Sequence, residues 1–265
     1  MKSDTAVVAN PANSTRDYRS TRGMRSTHPE GTGPARDWQD LNDDIVACRA
    51  CPRLVAWREQ VARDKRRAYR DWDYWGRPVP GFGDFSARVL LVGLAPGAHG
   101  SNRTGRMFTG DSSGDTLYAA LHRAGFSNQP SAGCPGDGLR LTDVFITAVA
   151  RCAPPANRPT PAEIAACRHF LVREWQLLQQ VQVVLALGQI AFEHCMRLLS
   201  AQGYDVPRLR FAHGLQRAVE SSRGSGTLHI LAAYHPSRQN TQTGRLTPQM
   251  LDTVLEAARQ QLVRG

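Results

Sequence analysis

No stretch of this 265-residue chain reaches the eighteen or more consecutive apolar residues that cross a bilayer, and no apolar block follows its N-terminal basic residues. The expectation is a soluble cytoplasmic protein without a membrane partner. Acidic charge is scarce: 23 Asp and Glu stand against 33 Lys and Arg, a formal net charge of +10. That balance suits a polyanionic partner, because each phosphate neutralised releases a counterion, and it equally suits plain solubility. The glycine-rich loop beginning at Gly93 has neither the Gly-x-Gly-x-x-Gly spacing of dinucleotide-binding proteins nor the Gly-Lys-Ser/Thr of a phosphate-binding loop, which argues against nucleotide-cofactor enzymes. Nor is there an internal repeat, or a carboxylate cluster of the kind that binds phosphates through a metal.

Apolar residues make up 41% of the chain, enough for one α/β domain with a full core. Residues 1–37 are rich in Ser, Thr, Asn, Arg and Gly and lack apolar periodicity, so they read as a disordered basic leader, with a flexible nucleic-acid arm as the alternative. The leader carries a basic surplus of only two, so the domain expected over 38–265 keeps most of the excess. Apolar spacings of three and four around Leu41, Ile45 and Val46, and again around Leu54, Trp57 and Val61, predict two helices. The basic residues between Arg53 and Arg70 read as a solvated face, and Tyr69, Trp72, Tyr74 and Trp75 as core packing rather than base stacking. From Arg88 onward, strands are predicted at 88–94, 142–149, 182–187, 209–213 and 227–234, and helices at 113–125, 161–180, 189–202 and 247–263. Strands separated by helices imply βαβ units and a mostly parallel sheet. The Gly/Ser-rich 221–226 reads as a turn.

Leu90-Leu91-Val92 followed by Gly93-Leu94-Ala95-Pro96-Gly97-Ala98-His99-Gly100-Ser101-Asn102-Arg103-Thr104-Gly105-Arg106-Met107-Phe108-Thr109-Gly110-Asp111 joins a buried strand to a long polar loop, which is where an α/β sheet places a ligand. This stretch resembles the first motif of the family 5 uracil-DNA glycosylases. A second stretch, His235-Pro236-Ser237-Arg238-Gln239-Asn240-Thr241-Gln242-Thr243-Gly244-Arg245-Leu246-Thr247, resembles that family's second motif. The likeness covers roughly residues 40–260. The fold expected is a three-layer α/β/α sandwich around a mostly parallel four-stranded sheet.

Six cysteines in such a chain argue against a disulfide framework. Cys48 and Cys51 form a CxxC, and Cys152 and Cys167 follow around a proline-rich stretch. Four thiolates suit zinc or an iron–sulfur centre alike. The resemblance implies a structural [4Fe-4S] cluster held by Cys48, Cys51, Cys152 and Cys167, leaving Cys134 and Cys195 free.

The family's chemistry requires a base to be flipped out of DNA, gripped at its edge and released by hydrolysis. The resemblance assigns Phe108 to stack on that base, with core anchoring as its other reading. Gly93, Ala95 and Gly97 offer backbone amides, and Asn102 and Asn157 are candidates for the base edge. His235, just past a strand, would hydrogen-bond the departing base as a neutral or charged imidazole. Leu94–Ala98 holds no acid, so Asp111 is the nearest carboxylate to orient water or steady the sugar, and it equally fits the cap of the helix that follows. Arg238 and Arg245 are expected to clamp phosphates, or else to be ordinary surface charges, and Leu246 to wedge into the space left by the flipped nucleotide. Neither motif contains a lysine, so strand cleavage through a Schiff base is not expected. The resemblance thus implies a monomeric, bacterial-type, nucleoid-associated repair enzyme that excises uracil, and other deaminated or modified bases such as hypoxanthine and ethenocytosine, from DNA. The competing expectation is a non-enzymatic, metal-stabilised protein that binds lesion DNA on the same scaffold.

Overall fold

The computed structural model describes residues 34–222 and 226–264. Most of the expected leader and residues 223–225 of the predicted turn lie outside these. Residues 34–37, assigned to the leader, instead open helix α1 (Pro34–Ala47), because Trp38 and Leu41 are buried and draw the preceding turn into helix. Next come α2 (Pro52–Asp64), β1 (Phe82–Gly83), β2 (Val89–Gly93), α3 (Ser101–Thr104) and α4 (Ser112–Arg123). They are followed by β3 (Val144–Ala148), α5 (Pro161–Leu177), β4 (Val183–Leu187) and α6 (Gln189–Ala201). The chain closes with β5 (Gln216–Glu220), β6 (Thr227–Ala233), α7 (Arg238–Gln242) and α8 (Pro248–Arg264). Among the described residues no helix is long and apolar enough to cross a membrane.

The sheet has six strands in the order β1-β3-β2-β4-β6-β5. The four inner strands run parallel, and β1 and β5 pair antiparallel at the two edges. The expected four-stranded parallel sheet is therefore present as the centre of a wider one. Residues 209–213 form no strand, although Leu209 and Phe211 alternate with charge. The edge is filled by β5, whose sequence QRAVE hides its pattern because only Val219 is buried.

Successive strand residues point to opposite faces, and here both faces are apolar, as a sheet covered on two sides requires. Leu91, Ile146, Leu185 and Leu231 pack with Leu117, Leu121, Leu251 and Leu255 of α4 and α8. Leu90, Val92, Phe145, Val184 and Ile230 pack with Leu41, Ile45, Phe170, Phe192 and Leu198 of α1, α5 and α6. These are the three layers. All four parallel strands end on one edge, and the winding reverses between β2, which connects to β3 on one side, and β4, which connects towards β6 on the other. A crevice beyond the carboxyl ends of β2 and β4 follows from that reversal.

Candidate active site

The loops leaving β2, β3 and β6 converge on a single cleft of about 620 Å³ at this edge. Ala95, Gly97, Phe108 and Asp111 come from the first motif, Asn157 from the proline-rich turn, and His235 and Arg238 from the second motif. Gly93 is not on the cleft wall. It lies under Phe108, where a Cβ would stand 2.9 Å from the ring's Cζ. Glycine at this strand end lets Phe108, held at φ 51°, bring its ring to 5.8 Å from the His235 ring, with 31° between planes. Phe108 is thus anchored to the core and presented to the cleft at once.

Asp111 divides its two oxygens between two tasks. Oδ1 accepts from the amides of Ser113 at 3.1 Å and Gly114 at 3.0 Å, capping α4. Oδ2 turns towards the backbone of Gly97 and Gly100 on the cleft wall. Burial pushes the Asp111 carboxyl above the usual carboxylate range, against the two cap amides and the Arg103 guanidinium, which pull it down. His235 has its pKa pushed down by burial to about 4, so its imidazole is neutral at pH 7. Its carbonyl accepts from Asn240 Nδ2 at 2.8 Å, and Ser237 caps the short α7 behind it.

Asn157 is exposed at the end of a 3-10 turn, Pro155–Asn157, in which Ala156 and Asn157 both have positive φ, 51° and 55°. Two adjacent non-glycine residues in the left-handed region are a strained arrangement of the sort that collects at functional sites.

Two further residues expected at the site lie off the cleft wall. Asn102 is fully buried and faces away from the cleft, its Nδ2 donating to the carbonyls of Arg58 at 3.2 Å and Ala98 at 3.4 Å. It ties the first-motif loop to α2 instead of meeting a base. Leu246 is 1% exposed and packs in the core beside α8, its amide bonded to the Asn240 carbonyl at 3.0 Å, rather than projecting at the cleft mouth as a wedge would. Arg238 is exposed at the cleft, and Arg245 is exposed with its guanidinium 4.6 Å above the Tyr234 ring.

Sequence reasoning missed His99, Arg158 and Gln239, which also line the cleft. His99 Nδ1 sits 3.0 Å from the Tyr74 hydroxyl, and burial lowers its pKa, with Arg66 and Arg103 acting in the same direction. Its only signal was its place within the first motif. Of the aromatics ahead of β1, expected to pack the core, Trp75 packs against it, whereas Trp72 is exposed. Tyr69 and Trp72 sandwich the Arg103 guanidinium at 3.9 and 4.1 Å, while Arg103 donates to the carbonyls of His99 and Gly110 and staples the loop shut.

Cys48, Cys51, Cys152 and Cys167 line one separate cavity, together with Arg58 and Arg151. No three His, Cys, Asp or Glu side chains among the described residues converge on a single-ion site. Arg58, 2% exposed, donates to Cys152 Sγ at 2.9 Å and to the Cys48 carbonyl at 3.2 Å. Its Nε, like Nε and Nη1 of Arg151, is buried without a hydrogen-bond partner. Arg151 is paired with Glu174 at 2.5 Å, whereas Arg58 has no carboxylate partner among the described residues. Burial pushes the Cys167 thiol up to about 12. Cys134 and Cys195 lie apart from this cavity, as expected.

The cleft combines an aromatic wall, a neutral imidazole and a carboxylate oxygen outside the helix cap, all at the ligand edge of a doubly wound sheet. Residues 80–259, which contain every one of those cleft groups, match the family model described as the Uracil DNA glycosylase superfamily. The chain is 54% identical over 221 residues to a type-5 uracil-DNA glycosylase of Mycobacterium bovis, covering 83% of this chain and 80% of the relative. It is 55% identical over 216 residues to a type-5 uracil-DNA glycosylase of Thermus thermophilus, covering 81% and 94%. A type-4 uracil-DNA glycosylase of Archaeoglobus fulgidus is 31% identical over 199 residues, covering 75% and 80%. With nearly the whole described domain accounted for, the chain belongs to the uracil DNA glycosylase superfamily, on its type-5 branch.

Proposed function

We propose that the protein is a monofunctional DNA glycosylase that flips uracil, and also hypoxanthine and ethenocytosine, out of DNA and hydrolyses the N-glycosidic bond to leave an abasic site. The observation that carries this reading is the meeting of Phe108, Asp111, Asn157 and His235 in one cleft. Phe108 stacks on the extruded base, and Asn157 with the backbone at Ala95 and Gly97 meets the base edge. Neutral His235 donates a hydrogen bond to the base oxygen that gains negative charge as C1′–N stretches, and no proton need be transferred. Asp111, through Oδ2, orients the attacking water and steadies positive charge on the sugar. No lysine lines the cleft among the described residues, in keeping with water as the nucleophile. Arg238 and Arg245 hold flanking phosphates. With Leu246 in the core, the side chains at the mouth that can fill the vacated stack are Arg238 and Gln239.

The four cysteines suit a [4Fe-4S] cluster. A buried guanidinium without a carboxylate requires a counter-charge, and metal-bound thiolates provide one at Cys152. When bound, the group supplies a multidentate anchor between α1, α2, the proline-rich turn and α5. The test is to incubate the protein with duplexes carrying a single uracil, hypoxanthine or ethenocytosine and to measure free base and abasic sites. Release of all three bases is expected. Tight lesion binding without base release would replace this reading with that of a non-enzymatic lesion-binding protein.

A further inference from the structure

The segment between α6 and β5 has no assigned role. One end is fixed at the far side of the sheet, where Tyr204 bridges Ser221 and the Asp205 amide donates to the Glu220 carbonyl. The other reaches the ligand edge: Gly214 donates to the Ala232 carbonyl at 2.9 Å, and the Tyr234 amide donates to His213 Nδ1 at 3.1 Å. The chain therefore climbs the outer edge of the sheet and arrives beside Tyr234, one residue from His235. Val206, Leu209 and Phe211 turn inward against the core, and Phe211 lies 5.8 Å from Phe192. Between them Arg208 and Arg210 are exposed, with no ion pair or hydrogen bond among the described residues. Asp205, also exposed, is the one acid within the segment. The segment is tied to the second motif through one ring, since Tyr234 is 5.9 Å from Phe211 and 5.1 Å from His213 and carries Arg245 over its face.

We infer that Arg208 and Arg210 form a second phosphate-binding strip, continuous with Arg245, that holds the DNA duplex to one side of the excised base. Their apolar neighbours fix the backbone, so the two cations are displayed on a rigid support, and a polyanion is the partner they complement. The inference rests on the reading that the protein acts on DNA.

Binding of the full chain to long duplexes, with and without uracil, should be measured across a salt series. Replacing both arginines, Arg208→Ala with Arg210→Ala, is expected to lower the magnitude of the slope of log affinity against log salt by about two. Both duplexes should weaken alike, and the single-turnover excision rate at saturating protein should stay unchanged. Arg208→Lys with Arg210→Lys should restore the slope, which a merely structural role for the side chains would not predict. A slope unchanged in the double alanine variant, while Arg245→Ala lowers it, overturns the strip and leaves the glycosylase reading intact. Failure of the wild-type protein to bind DNA at all overturns both.

Discussion

The Oδ2 atom of Asp111 lies so close to Gly100 that a Cβ there would stand 1.9 Å away, while the other oxygen of the same carboxylate caps α4. The cap and the cleft therefore draw on different atoms and can be separated by substitution. Asp111→Asn keeps an oxygen to accept from Ser113 and Gly114 but loses the charge, and Asp111→Ala loses both. We expect Asp111→Asn to melt close to wild type while excision slows about a hundredfold, and Asp111→Ala to lose in addition about 1 kcal/mol of stability. Gly100→Ala, whose added Cβ would meet Oδ2, should slow single-turnover excision by displacing the carboxylate. Wild-type rates in all three would leave Asp111 a helix cap only.

His235 is neutral at working pH, so its contribution should be a hydrogen bond with no titration of its own between pH 5.5 and 8. His235→Ala is expected to slow base release by about a hundredfold with no change in the shape of the pH profile across that range.

The same shift carries a stability prediction. A histidine at about 4 in the folded protein, against 6.5 for the ordinary value, binds fewer protons folded than unfolded between those limits. Wild-type stability should therefore fall as pH drops from about 6.5 through 4, and His235→Asn should lose less over the same window in denaturant titrations. Parallel curves for the two proteins would show that His235 is not desolvated.

Replacing Leu246 tests its place in the core. Leu246→Ala should cost about 2–5 kcal/mol by leaving a cavity beside α8, and should leave excision per folded molecule near wild type. A stable variant that binds lesion DNA poorly would return Leu246 to the DNA surface.

Arg58→Met should release iron to a chelator faster than wild type, by tenfold or more, because the thiolate at Cys152 loses a charge-assisted donor. Iron and acid-labile sulfide, measured on protein purified without oxygen, give the reading, and Cys167→Ala is the positive control. Wild-type protein holding one zinc and no sulfide would overturn the cluster.

Much of this architecture was legible. Leu90–Val92 and Ile230–Ala233 declare buried strands by unbroken apolar character, and Asp111 before two serines declares a cap. The failures have physical causes. Residues 209–213 alternate like a strand, and the apolar residues do turn inward, but the backbone climbs an edge without joining the ladder. QRAVE carries too little apolar signal for a strand because β5 lies at that edge with most of its side chains in solvent. Leu246 in a polar loop looks like a wedge until the Asn240 carbonyl is seen to draw its backbone inward. Asn102 looks like a base reader until its amide is found on the Arg58 carbonyl, 44 positions away.

The strained Ala156–Asn157 pair stands between Cys152 and Cys167, and both sulfurs face the same cavity. Anything that bridges those sulfurs closes a loop of about fifteen residues, and a crosslink of that span removes chain entropy worth about 3 kcal/mol from the open ensemble. With the proposed cluster bound, the turn that presents Asn157 would be the interior of a tether, its unfavourable dihedrals held because both ends are fastened. Unfastening either end should let Asn157 relax before the sheet melts, so amide exchange in this turn should quicken while that of β2 and β4 stays slow.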